Sequence, residues 1–125
     1  MKSKLALLVA LLLACSYLAP AAQATVLRVV SVQTDDVGTY VKELERGQVL
    51  FKKLGLTAIL RVWRARFAGV ETGAVVVSIE YADLATFAAE DKKVSADAEY
   101  QTWLKGLQKV RKVVSDSLYD ELKTP

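Results

Sequence analysis

Residues 56–81 read LTAILRVWRARFAGVETGAVVVSIEY, and this stretch decides the fold. Leu56 to Phe67 alternates in part between apolar and polar residues, the period of a strand with one covered face. Ala74 to Tyr81 is rich in β-branched residues and reads as its partner strand. Gly69-Val70-Glu71-Thr72-Gly73 joins them, a five-residue connection with glycine at both ends and hence a hairpin signal. Two antiparallel strands in the middle of a short chain need further strands and helices on both sides to bury their apolar face.

The flanks supply them. Upstream, Val26 to Val32 is a β-branched strand segment, and Thr34-Asp35-Asp36 offers capping oxygens for a helix. Val37, Tyr40, Val41, Leu44, Phe51 and Leu54 recur at helical spacing, and Gly55 stops the helix. Gly47 lies mid-helix, where glycine costs about 1 kcal/mol relative to alanine; close approach of the helix to a sheet would account for it. Downstream, Asp83 caps a helix through Leu84, Phe87 and Ala88. Ser95 to Asp97 breaks it, and Asp97 caps another carrying Tyr100, Trp103, Leu104 and Leu107. Val113 to Leu118 is a fourth strand, with a continuing helix as the rival reading. The order strand, helix, strand, strand, helix, strand predicts an α+β class, ferredoxin-like βαββαβ sandwich. Its antiparallel sheet carries helices on one face, so the other face is either wet or covered by a partner.

The first residues belong to a different element. Lys2 and Lys4, the apolar run Leu5 to Ala14, the helix breaker Pro20 and the small residues of Ala22-Gln23-Ala24 make a secretory signal, with 1–24 as leader and 25–125 as one domain. The expected location is periplasmic or secreted, with no stable membrane insertion after the leader is removed. A competing reading takes Leu12-Leu13-Ala14-Cys15 as a lipobox, with Cys15 lipidated. Of 17 basic and 14 acidic residues, Lys2 and Lys4 leave with the signal, so 15 and 14 remain and the domain carries +1. That balance argues against nucleic acid as a partner, which needs a basic face. The chain has no histidine, and its single cysteine is Cys15. Histidine-based proton transfer, thiolate chemistry and histidine-ligated haem or zinc are therefore excluded. Asp35-Asp36 and Glu90-Asp91 lack calcium-loop spacing, so neither a metal nor a cofactor is expected.

Several stretches together resemble a known family: Leu60 to Gly69, Glu71-Thr72-Gly73, Ala74-Val75-Val76-Val77, Glu80-Tyr81 with Asp83-Leu84, and Asp97-Ala98-Glu99-Tyr100-Gln101. Over nearly all of residues 26–120 the chain is similar to the dimeric α/β-barrel superfamily and, within it, to NIPSNAP-like and related small proteins. The resemblance implies a homodimer of two sandwiches packed sheet against sheet, with a small-molecule cavity beneath each sheet. Some relatives are cofactor-independent monooxygenases, some degrade haem, and others have no known activity. The absence of histidine departs from the haem-using branches.

With Ala68 opposite Ala74, the hairpin sorts side chains onto two faces. Trp63, Ala65, Phe67, Val75, Val77, Ile79 and Tyr81 form an apolar set expected to pack on the helices. Val62, Arg64, Arg66, Ala74, Val76, Ser78 and Glu80 form a mixed set expected to face the dimer barrel. Arg64 and Arg66 beside Ser78 and Glu80 would bind an anion or carbonyl through guanidinium donors, or form a salt-bridge cluster at an interface or on a solvated face. Trp63 and Tyr40 are further ligand-binding candidates, with core packing as the competing reading for each. No catalytic set can be named. The expected function is a non-catalytic dimer that binds a small molecule; the alternative is a cofactor-independent monooxygenase or isomerase acting on an aromatic or polyketide-like compound.

Overall fold

A computed structural model describes residues 24–123. The leader expected at 1–24 therefore lies outside the described residues except for Ala24. The elements run β1 (Val26–Gln33), α1 (Val37–Lys53), β2 (Ile59–Arg64), a 3-10 turn (Gly69–Glu71), β3 (Val75–Tyr81), α2 (Leu84–Ala96), α3 (Ala98–Leu107) and β4 (Lys112–Asp120). The four strands form one sheet in the order β2-β3-β1-β4, with every neighbouring pair antiparallel. β1 and β2 thus run parallel with β3 inserted between them, the split β-α-β arrangement of a ferredoxin-like sandwich. No described helix is long and apolar enough to cross a membrane.

Each helix begins on an aspartate. Asp36, Asp83 and Asp97 accept the backbone N–H three residues on, from Thr39 at 2.9 Å, Thr86 at 2.7 Å and Tyr100 at 2.7 Å. These bonds satisfy helix donors that would otherwise lack partners. They also hold the Asp36 and Asp83 carboxyls below the ordinary range. α1 closes with the N–H of Leu56 donating to Phe51 O and that of Gly55 to Lys52 O, the paired ending that glycine permits.

The core lies between the helices and one sheet face. Val26, Val30 and Val32 of β1, Val75, Val77, Ile79 and Tyr81 of β3, and Leu60 of β2 meet Tyr40, Leu44, Leu50 and Phe51 of α1 and Tyr100 and Leu107 of α3. Gly47 is buried in α1, and the close approach is to another helix rather than to the sheet. A Cβ built there would collide with the Trp103 indole of α3. The final segment is a strand, resolving the choice left by its weak alternation.

The hairpin differs from the expectation in two respects. β2 ends at Arg64, and Arg66, Phe67 and Ala68 enter the connection. The 3-10 turn at Gly69–Glu71 makes that connection longer, with positive φ at Gly69 (57°) and Gly73 (91°). The Ala68 N–H donates to Thr72 Oγ1 at 3.1 Å inside the loop. Consequently Ala65, not Ala68, stands opposite Ala74, a shift of three residues. Because side chains alternate with period two, an odd shift exchanges the faces of β2 relative to β3. Trp63 joins Val76, Ser78 and Glu80, while Arg64 falls opposite Val75 on the helix side.

Candidate functional site

The sheet face without helices carries three rows of side chains, read across β2, β3, β1 and β4 from the pairings. They are Trp63–Val76–Ser31–Ser115, Arg61–Ser78–Val29–Ser117 and Ile59–Glu80–Leu27–Tyr119. Each strand contributes every second residue, so the rows follow directly from the pleat. The outer positions are open to solvent: Trp63 is 54% exposed, Ile59 46% and Tyr119 56%. The three stand at corners of these rows, Trp63 and Ile59 at the two ends of β2 and Tyr119 on the opposite edge strand.

Two polar contacts organise the β2–β3 side of this face. Trp63 Nε1 donates to Ser78 Oγ at 2.7 Å, tying the indole to the sheet. Arg61 Nη1 donates to Glu80 Oε2 at 2.9 Å. Both members of that ion pair are more than a third exposed, so it contributes only about 0–1 kcal/mol. On the inner strand β1, in the row of Trp63, Ser31 is 2% exposed and its Oγ is sealed from solvent without a hydrogen-bond partner. A sealed, unpaired hydroxyl costs about 1–3 kcal/mol, an uncommon feature on the open side of a sheet.

The residues singled out in sequence divide accordingly. Trp63, Ser78 and Glu80 come together on the open face. Arg64 sits exposed at the end of β2 on the opposite side, and Arg66 is exposed in the connection. Neither forms an ion pair with a described residue, and the guanidinium beside Glu80 is that of Arg61. The expected Arg64/Arg66/Glu80 group is therefore not formed, because of the shifted register. Trp63 lies outside the core for the same reason. Tyr40 is fully buried in α1, where its hydroxyl accepts from Arg111 Nη1 at 2.8 Å and the guanidinium lies 5.7 Å from its ring centroid. It stays remote from the open face. Ser31, Arg61, Ser115, Ser117 and Tyr119 escape the sequence reading. The alternation of β1 offered a signal for Ser31, but its position beside Val76 required the β1–β3 pairing.

A cleft of about 1120 Å³ opens at one end of the sheet between the β1–α1 turn, the β2–β3 connection and the α3–β4 turn. Its acidic Asp35, Asp36 and Glu71 are matched by basic Lys109, Arg111 and Lys112, and the Asp36 carboxylate already serves as the α1 cap. Among the described residues, no group of three metal-ligating side chains converges.

The architecture matches that of a NIPSNAP family protein from Agrobacterium tumefaciens. The TM-score is 0.62 at 16% identity, covering 85% of this chain and 90% of that one. The chain thus has a NIPSNAP-like, ferredoxin-like α+β fold. No family model matches the sequence, and no curated protein does.

Proposed function

We propose that the chain is exported and works as a homodimer whose two open sheet faces enclose a small, mostly apolar molecule. The carrying observation is the unroofed face itself: Trp63, Ile59 and Tyr119 exposed at corners of rows that hold serines, among them Ser31 with its unpartnered hydroxyl. A two-fold pairing of such faces removes the exposed apolar groups from water on both subunits at once. The three rows carry a single ion pair and are otherwise uncharged, with Lys112 and Glu121 only at the ends of β4, as the polar rim and uncharged centre of an interface require. The serines leave donors and acceptors for a ligand, and the tethered indole gives it a flat apolar surface. Glu80, the one carboxylate in the three rows, is engaged by Arg61. Within those three rows no unengaged carboxylate stands as a general base, which favours binding over proton-transfer chemistry there.

Native mass spectrometry of the protein recovered from its host's exported fraction tests this reading. The expected species starts at Thr25, has twice the chain mass and retains a bound small molecule that Trp63→Ala loses. A monomer without added mass would contradict the proposal. A chain starting at Cys15 with acyl mass would replace the cleaved leader with a lipid anchor.

A further inference from the structure

The helix side of the sheet holds a second polar group, independent of the open face. Arg28 of β1 lies between Ile79 and Leu118 in the pairing. Its guanidinium grips Asp116 of β4 as a fork, Nε to Oδ1 at 2.9 Å and Nη2 to Oδ2 at 2.6 Å. This spends one edge of the guanidinium and balances its charge, leaving the Nη1 edge as a donor. Tyr81, two residues beyond the Arg28 partner Ile79, is its diagonal neighbour on this face, and Tyr100 of α3 lies within electrostatic reach. The Tyr81 ring is buried edge-on against Phe87 at 5.1 Å, and the Tyr100 ring lies between Phe51 (6.2 Å) and Trp103 (5.2 Å). Neither hydroxyl is bonded to a described residue, and neither is among the sealed, unpartnered polar atoms.

The neighbourhood of this group is a groove. β4 is not roofed by a helix: Leu118 is 45% exposed and Asp116 is open as well. Beside Leu118, a mostly apolar pocket of about 260 Å³ at the β1–β4 end of the sheet is lined by Ala24, Val26, Leu84, Leu118, Tyr119 and Asp120. It is smaller than the roughly 300–1,000 Å³ of drug-sized sites, a size suited to one ring or a short acyl chain. Arg28, Tyr81 and Tyr100 do not line the pocket themselves, but Val26 is the register partner of Tyr81 and Leu118 that of Arg28, so two of its walls adjoin donor residues.

We infer that this groove, between β4 and the α2–α3 pair, binds a small neutral carbonyl compound, its apolar body in the pocket and its oxygen accepting from the tyrosine hydroxyls and the outer edge of Arg28. Burial pushes the Tyr81 phenol up to about 12 and raises that of Tyr100, so both remain hydrogen-bond donors at neutral pH. Asp116 balances Arg28, and Asp91 of α2, within reach of both tyrosines, balances Arg111, within reach of Tyr100 and Asp116, so the groove has no excess positive charge to hold an anion. Three donors without net charge select a neutral acceptor.

The test is titration of the ¹⁵N-labelled chain 25–125 with acetophenone up to about 10 mM, the affinity range of a weak fragment. Saturable shifts are expected at the Val26, Arg28 and Leu118 amides and at the Arg28 Nε–H. Binding should weaken about three- to tenfold in Tyr81→Phe and in Tyr100→Phe, which keep the rings. Toluene, which lacks the oxygen, and benzoate, which is charged, should bind more weakly. No saturable shift, shifts confined to Trp63 and Ser78, equal binding of toluene or benzoate, or unchanged binding by both tyrosine variants would each overturn the inference.

Discussion

The Trp103 indole occupies the space that a side chain at residue 47 would need. A Cβ at Gly47 would lie 2.6 Å from Trp103 Cη2 and closer still to Cζ2. The ring cannot retreat freely, because its Nε1 donates to Glu43 O on α1 at 2.9 Å. Gly47→Ala gains up to about 1 kcal/mol of helix propensity against an overpacking cost of about 1–3 kcal/mol. Denaturant unfolding should show net destabilisation in the wild type and net stabilisation by the same change in a Trp103→Ala background. Destabilisation of equal size in both would sever the link between the two residues.

The same pair shows what sequence makes legible. Gly47 stands out in a helical pattern and implies a close approach, but the element it approaches lies more than 50 residues away in sequence, beyond the reach of local patterning. Helix starts were readable because an aspartate side chain caps its own chain three residues on, as at Asp36, Asp83 and Asp97. The hairpin was readable as a hairpin, while its register depended on whether Arg66 to Ala68 belonged to strand or loop. Alternation alone does not decide that, and the odd shift moved Trp63 and Arg64 to opposite roles. Of the candidate site, Ser78 and Glu80 share their face whatever the register. Ser31 and Tyr119 belong to it only through pairing with strands distant in sequence.

Glu90 illustrates a carboxylate whose use is structural. It is 5% exposed on α2 and reaches across to the α1–β2 turn, where Oε1 accepts from Thr57 N at 2.6 Å and Thr57 Oγ1 at 2.7 Å. Oε2 accepts from Ala58 N at 3.2 Å. Glu90→Ala leaves those donors unpaired and should cost about 2–3 kcal/mol. Glu90→Gln keeps acceptor capacity and should cost roughly half as much. Urea unfolding of both variants measures this. Wild-type stability in Glu90→Ala would show that water satisfies the turn equally well.

Tyr81 predicts a stability loss at high pH. Burial raises its phenol from the usual 10 to about 12, so the folded chain keeps a proton that the unfolded chain releases. Its contribution is complete below pH 10 and is lost as pH rises from about 10 to about 12. Urea midpoints across that interval should fall more steeply in the wild type than in Tyr81→Phe. Tyr100, raised in the same direction, leaves a residual slope in the variant. Parallel curves for the two proteins would remove Tyr81 from the alkaline transition.

The pairing of open sheet faces is tested most directly by sedimentation velocity on the chain 25–125 at micromolar concentration, wild type against Trp63→Glu. In a two-fold interface the substitution enters twice and sets two carboxylates where two indoles had been buried. The far-ultraviolet circular dichroism should be unchanged, because Trp63 is 54% exposed in the single chain. Pairing of the faces predicts a wild-type species of twice the chain mass and a folded monomer for Trp63→Glu. A wild-type monomer at every concentration, or a dimer that Trp63→Glu leaves intact, would contradict it.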